Sequence, residues 1–177
     1  MKTLVISDTH LKSGEIPPDL KTLIDRYDMV IHAGDFTTLE CYKAFNDTGK
    51  LKSVYGNSDT YELKEILPET LQLDIDGIRV GVVHEAALSI NDTTALRYKA
   101  LEMGVNVLIF GHIHSPILEK TDVLVLCPGS PTSPRMSDPM AAELNIENGE
   151  VKARFIEIKG KSCGFVGFSR ELEKADN

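Results

Sequence analysis

The chain is poor in cysteine, in basic charge and in long apolar runs, and each shortage excludes something. Cys41, Cys127 and Cys163 are odd in number and far apart, with no CxxC pair. That argues against a disulfide framework and points to a reducing compartment. No apolar run reaches the ~18–20 residues that span a bilayer. The opening segment, MKTLVISDTH, runs straight into a strand-like stretch and shows neither the apolar core nor the cleavage site of a signal peptide. A cytoplasmic protein without a membrane partner is expected. Lysine and arginine number 19 against 27 aspartates and glutamates, a formal charge of −8. This disfavours a surface for duplex nucleic acid, and no basic, aromatic-lined groove for single strands is evident. Bound dications would reverse the sign locally, so an acidic protein can still hold an anionic substrate at one place.

What is present suits one folded domain: 177 residues, 42% apolar and 26% charged, enough to bury a core unaided. Apolar runs at 2–7, 29–33 and 51–55 read as strands. Between them, 18–27 has a proline start and helical spacing, and 37–46 and 62–67 are helix-compatible. Asp76-Gly77 and Asn148-Gly149 each sit between two strand-like runs, the signature of tight hairpins. A helix over 93–103 and strands over 106–110, 117–120 and 123–127 complete the series. Early β-α-β alternation followed by hairpins predicts a mixed α/β sandwich of two sheets with outer helices. Residues 160–177 read as an appended tail.

Five apolar runs end in metal-donor side chains: Asp8 and His10, then Asp35, then Asn57 with Asp59, then His84, then His112 and His114. Loops at the carboxyl ends of strands converge in α/β folds, so donors from separate strands can meet there. Aspartate, histidine and asparagine together suit Mn, Fe, Zn, Co or Ni, with no thiolate in the set. In Asp8-x-His10 and His112-x-His114, an extended backbone would place both side chains on one side. A glycine precedes each of Asp35, Asn57 and His112, which allows tight turning around a crowded centre. Two dications ~3.5–4 Å apart repel one another and need a bridging carboxylate, for which Asp35 is the natural choice.

This ordered series, Asp8-x-His10, Gly34-Asp35, Gly56-Asn57-x-Asp59, His84 and Gly111-His112-x-His114, resembles the calcineurin-like metallophosphoesterase family. More narrowly, it is similar to that family's small single-domain microbial phosphodiesterases, and Pro128-Gly129-Ser130 with Pro134-Arg135 is similar too. The resemblance spans roughly residues 3–158. It implies a four-layer α/β/β/α sandwich, with a metallophosphoesterase domain over 1–159 and a tail over 160–177. It also implies a phosphodiesterase using two divalent transition-metal ions, manganese foremost with Ni, Fe, Co or Zn as alternatives. Asp8, His10, Asp35 and His114 would hold one ion, and Asp35, Asn57, His84 and His112 the other. A hydroxide bridging the ions would attack a small phosphodiester substrate. Asp35, Asn57 and His84 are the expected catalytic group, with Ser58 and Arg135 as substrate contacts. The rival reading is a non-catalytic scaffold on the same fold, similar to the scaffold subunit of retromer. Oligomeric state stays open, a homodimer included.

The chain departs from the family pattern at two points. Many members carry a histidine after the asparagine, thought to protonate the leaving group; here it is Ser58, as is common in the small phosphodiesterase branch. Relatives often read His-Gly-His where this chain has His84-Glu85-Ala86, and in an extended segment Glu85 would point away from His84. Three side chains have two readings each, and a fourth has one. His32 is a core histidine or a residue orienting a ligand; Asp59 caps the next helix or supports a ligand. Arg135 meets phosphate or is a solvated loop charge. Cys127, where asparagine is common in the family, is a small buried residue.

Overall fold

Alternation along the strands sorts the apolar residues into three separate cores, and those cores define the layers. In the computed structural model, which describes residues 1–85 and 93–175, strands β1 (Lys2–Ile6), β2 (Met29–His32) and β3 (Leu51–Ser53) run parallel. Strands β9 (Met140–Glu147) and β10 (Glu150–Glu157) extend that sheet antiparallel, giving the order β10-β9-β1-β2-β3. The second sheet contains β4 (Thr70–Ile75), β5 (Ile78–Val83), β6 (Val107–Ile109), β7 (Pro116–Lys120) and β8 (Leu124–Pro128). Its order is β4-β5-β6-β8-β7, with β5, β6 and β8 parallel.

Val5 of β1, Ile31 of β2, Val80 and Val82 of β5, Val107 and Ile109 of β6, and Ala142 and Leu144 of β9 form the core between the sheets. Their neighbours one residue along face outward, as the two-residue period of a strand requires. Leu4 and Val30 pack against α1 (Pro18–Asp25) and α2 (Leu39–Asn46) through Leu20, Ile24, Cys41 and Phe45, and Leu63 of α3 (Tyr61–Ile66) joins them. Leu108 and Val125 pack against α4 (Thr94–Met103) through Leu96 and Ala100. The result is the four-layer α/β/β/α sandwich. No helix among the described residues is long and apolar enough to cross a membrane.

The two hairpins form as expected, with Asp76 at φ 52° and Asn148 at φ 51° in their turns. The tail holds an element that sequence patterning does not suggest, helix α5 (Gly164–Ala175). Arg170 forks onto Asp138, with Nη1–Oδ1 at 2.9 Å and Nη2–Oδ2 at 2.7 Å, and Ser162 Oγ donates to the same carboxylate at 2.6 Å. The tail is therefore tied to the loop that follows Arg135. Phe165 and Phe168 are exposed; the side chain of Leu172 lies outside the described residues.

Candidate metal centre

The parallel strands of both sheets deliver their carboxyl ends to one edge, and every donor singled out by the sequence lies there. One donor atom each from Asp8, His10, Asp35 and His114 falls within 4.8 Å of the others, and so do those of His84, Glu85 and His112. Asn57 completes the second group: its Oδ1 lies 3.0 Å from His84 Nε2 and 2.9 Å from His112 Nδ1. Asp35 stands between the groups. Its Oδ2 is 3.4 Å from His10 Nε2, and its Oδ1 is 3.4 Å from His84 Nε2.

The backbone reaches this arrangement by left-handed turns. Among the described residues, nine non-glycine residues have positive φ. Six of them (Asp8, His10, Asp35, Thr37, His112 and His114) are in the donor loops. Such conformations cost on the order of 1–3 kcal/mol each and persist where surrounding contacts enforce them. They also correct the expectation that Asp8-x-His10 and His112-x-His114 are extended: left-handed residues at alternate positions, not strand alternation, aim these side chains inward. The glycines matter as expected. A Cβ at Gly56 would collide with the Asp35 carboxylate and lie 2.6 Å from the Asp35 amide nitrogen.

Asp59 ties three loops together. Its Oδ2 accepts from the amides of Asp35 (3.1 Å) and Gly56 (2.7 Å), and its Oδ1 from that of Thr37 (2.6 Å). It does not cap α3, whose N-cap is Thr60. Burial raises its pKa against those three hydrogen bonds.

Hydrogen bonding fixes which ring nitrogens are free. His84 Nδ1 donates to the Ala33 carbonyl at 2.7 Å, and His114 Nδ1 to that of Ser133 at 2.5 Å. In its neutral form, each ring turns the lone pair of Nε2 into the site. Asn57 Nδ2 donates to Ser58 Oγ at 3.3 Å, so its amide oxygen faces the two imidazoles.

Acceptors consequently face acceptors. Burial lowers the pKa of His114 to about 4, so at neutral pH its lone pair confronts Asp8 Oδ1 at 3.2 Å and His10 Nε2 at 3.3 Å. Asp8 is fully buried, and Oδ1 has no hydrogen-bond partner. Burial raises the pKa of Asp8 to about 6, the sign of a carboxylate whose charge lacks compensation. Burial also works to raise Asp35, but the hydrogen bond and charge of His84 prevail and hold it well below the usual carboxylate range. For His84 the same pairing outweighs burial and raises its pKa. Ligands of one ion at bond lengths of ~2.0–2.2 Å lie roughly 3–4.4 Å apart. The separations here match that span, and the donor chemistry fits divalent metal.

The remaining residues take simpler places. His32 is fully buried, stacked on Phe36 with ring centroids 3.7 Å apart, and its pKa is pushed well down by burial. It is a core residue, and its Nε2 lies 3.1 Å from Thr9 Oγ1 in the first donor loop. Cys127 is a small buried residue, as expected. Arg135 is exposed beside the first group: its amide donates to the His114 carbonyl at 3.4 Å, and its charge helps to depress the pKa of both His10 and His114. Glu85 does not point away: its Oε1 lies 4.0 Å from His112 Nδ1. The side chain of the preceding residue, His84, does not run along an extended strand there, because β5 ends at Val83. Ala86 lies outside the described residues.

Residues 1–149 match the profile of the calcineurin-like phosphoesterase superfamily domain. The chain belongs to that superfamily. It is 35% identical over 169 residues to a "probable metallophosphoesterase" of Methanothermobacter thermautotrophicus, covering 94% of this chain and 98% of that one. A second "probable metallophosphoesterase", from Methanocaldococcus jannaschii, is 37% identical over 159 residues, covering 88% and 80%. Among solved structures, wild-type Vps29 of Entamoeba histolytica complexed with zinc superposes with a TM-score of 0.67 at 25% identity. The match covers 89% of this chain and 99% of that one. This metallophosphoesterase thus keeps, in folded form, a donor set suited to divalent ions.

Proposed function

We propose that the protein hydrolyses phosphodiesters with two divalent ions, one on Asp8, His10, Asp35 and His114 and one on Asp35, Asn57, His84 and His112. The observation that carries this reading is Asp35, whose two oxygens address two separate donor groups at equal distances of 3.4 Å. When bound, the ions would supply Lewis-acid charge at phosphorus and would lower the pKa of water toward ~7, making a nucleophile at neutral pH.

The chain's own part is orientation. Asp59 fixes the loops of Asp35 and Gly56, the Ser58 amide donates to Asp35 Oδ1 at 2.8 Å, and Ala33 and Ser133 set the two imidazoles. Arg135 would meet a non-bridging phosphate oxygen. Mixed carboxylate, amide and imidazole donors accommodate manganese, which we assign, as well as Ni, Fe, Co and Zn. The chemistry resides in 1–159, and 160–177 is an accessory tail. Three free cysteines, two of them buried, agree with a cytoplasmic setting.

The likeness to zinc-bearing Vps29 favours one second reading, a metal-binding scaffold without turnover. Metal content and hydrolysis of a chromogenic aryl diester separate the two. Two ions per chain with diester turnover supports the phosphodiesterase; two ions with no turnover of diester or monoester supports the scaffold.

The division of ligands has its own test. His84→Ala and Asn57→Ala should each weaken one ion by at least about tenfold and leave the other tight. A titration showing equal loss at both would refute the division.

Ser58 makes a further prediction. A positioned general acid contributes ~10²–10⁴-fold when the leaving oxygen is basic. Ser58 Oγ accepts from Asn57 and is a poor acid, so rates should fall steeply across diesters of rising leaving-group pKa. Ser58→His should flatten that slope, helping alkyl esters far more than aryl esters. Equal wild-type rates on alkyl and aryl diesters would show that another group supplies the proton.

A further inference from the structure

We propose that Glu85 is a fifth donor to the second ion, joining Asp35, Asn57, His84 and His112. This rests on the two-ion reading above and adds to it a residue outside the family's His-Gly-His pattern at this point. The geometry is the first argument. His112 Nδ1 lies 2.9 Å from Asn57 Oδ1 and 4.0 Å from Glu85 Oε1, while Asn57 Oδ1 is 3.0 Å from His84 Nε2. All these spacings fall in the range of roughly 3–4.4 Å expected between ligands of one ion. At 4.0 Å the Glu85–His112 pair is too long for a hydrogen bond. His112 Nδ1 is also already opposed by the asparagine oxygen at 2.9 Å, so no direct hydrogen bond accounts for the approach.

Charge is the second argument. The first group has a carboxylate of its own, Asp8, and shares Asp35. Without Glu85 the second group has only its share of Asp35, with every other donor neutral. Glu85 gives each ion one private carboxylate and one shared one. It does so cheaply, because its side chain is 55% exposed and leaves water only in part. Glu85 also lines a cavity of about 310 Å³ together with Asn57, His84, Lys64 and Lys99.

The test is calorimetric titration of the metal-free full chain with Mn²⁺, comparing wild type with Glu85→Ala and Glu85→Gln. Wild type should bind two ions. Glu85→Ala should weaken the second by at least about tenfold and leave the first within about twofold. Glu85→Gln, which keeps an oxygen donor without the charge, should fall between. Thermal melts should match wild type, since an exposed side chain has been changed. Two ions in wild type with an unchanged second affinity in Glu85→Ala would overturn the assignment of Glu85 alone. Equal weakening at both sites would show a general field effect and overturn it too. A wild type that binds no second ion would contradict the two-ion reading itself, and this assignment with it.

Discussion

Asp35→Asn is expected to abolish diester hydrolysis, by at least about 10²–10³-fold, and to release at least one of the two ions. The first effect has the scale of removing a single preorganised electrostatic group. The second follows from charge. Asp35 alone addresses both donor groups, and an amide in its place removes the negative charge between two dications. Asparagine also presents one face as an NH₂ donor, which repels a cation on whichever side it is turned. The Ser58 amide donates to Oδ1 at 2.8 Å. It would favour keeping the remaining oxygen there, on the His84 side, so the ion on the His10 side should be lost first. Metal analysis of the purified variant alongside an aryl diester assay checks both statements. Full activity with two ions retained would remove Asp35 from the centre of the account.

Gly111→Ala should be nearly as damaging without touching a donor. The added methyl would collide with Ser7 Oγ, lie 2.7 Å from the Ala33 carbonyl oxygen and 3.0 Å from His84 Nδ1. That carbonyl accepts from both Ser7 Oγ (3.2 Å) and His84 Nδ1 (2.7 Å), so the methyl enters the contact that aims His84. Overpacking of this kind costs about 1–3 kcal/mol. In a chain of this length each kcal/mol lowers Tm by about 2–4 °C. Affinity for the second ion should fall more than affinity for the first, because His84 belongs to the second group. Unaltered Tm and metal affinity in Gly111→Ala would mean that the turn has slack the structure does not show.

These two residues also show how much could be read in advance. The position of Asp35 between the two donor groups was legible as that of a candidate bridge, and Gly111 was legible because a glycine directly precedes His112. Both hairpins follow from Asp-Gly and Asn-Gly chemistry. Local pattern suffices where one period governs burial. It failed where tertiary contacts override the local backbone. Asp8, His10, His112 and His114 are not on extended segments, and nothing in their sequence announces left-handed residues at alternate positions. Asp59 looked equally like a helix cap because the amides it binds belong to Asp35, Thr37 and Gly56, two of them more than twenty residues away. Glu85 was misdirected for the same reason. Helix α5 begins at a glycine and holds another at Gly167, a weak helix signal, and its tie to the domain is the long-range fork from Arg170 to Asp138.

The central claim is that catalysis needs the second ion, and one titration addresses it directly. Metal-free protein is brought up with Mn²⁺ in fractions of an equivalent, and aryl diester hydrolysis is followed at each addition. The account predicts little activity through the first equivalent and a rise to the plateau as the second binds. Full activity at one ion per chain, or none at two, would contradict it.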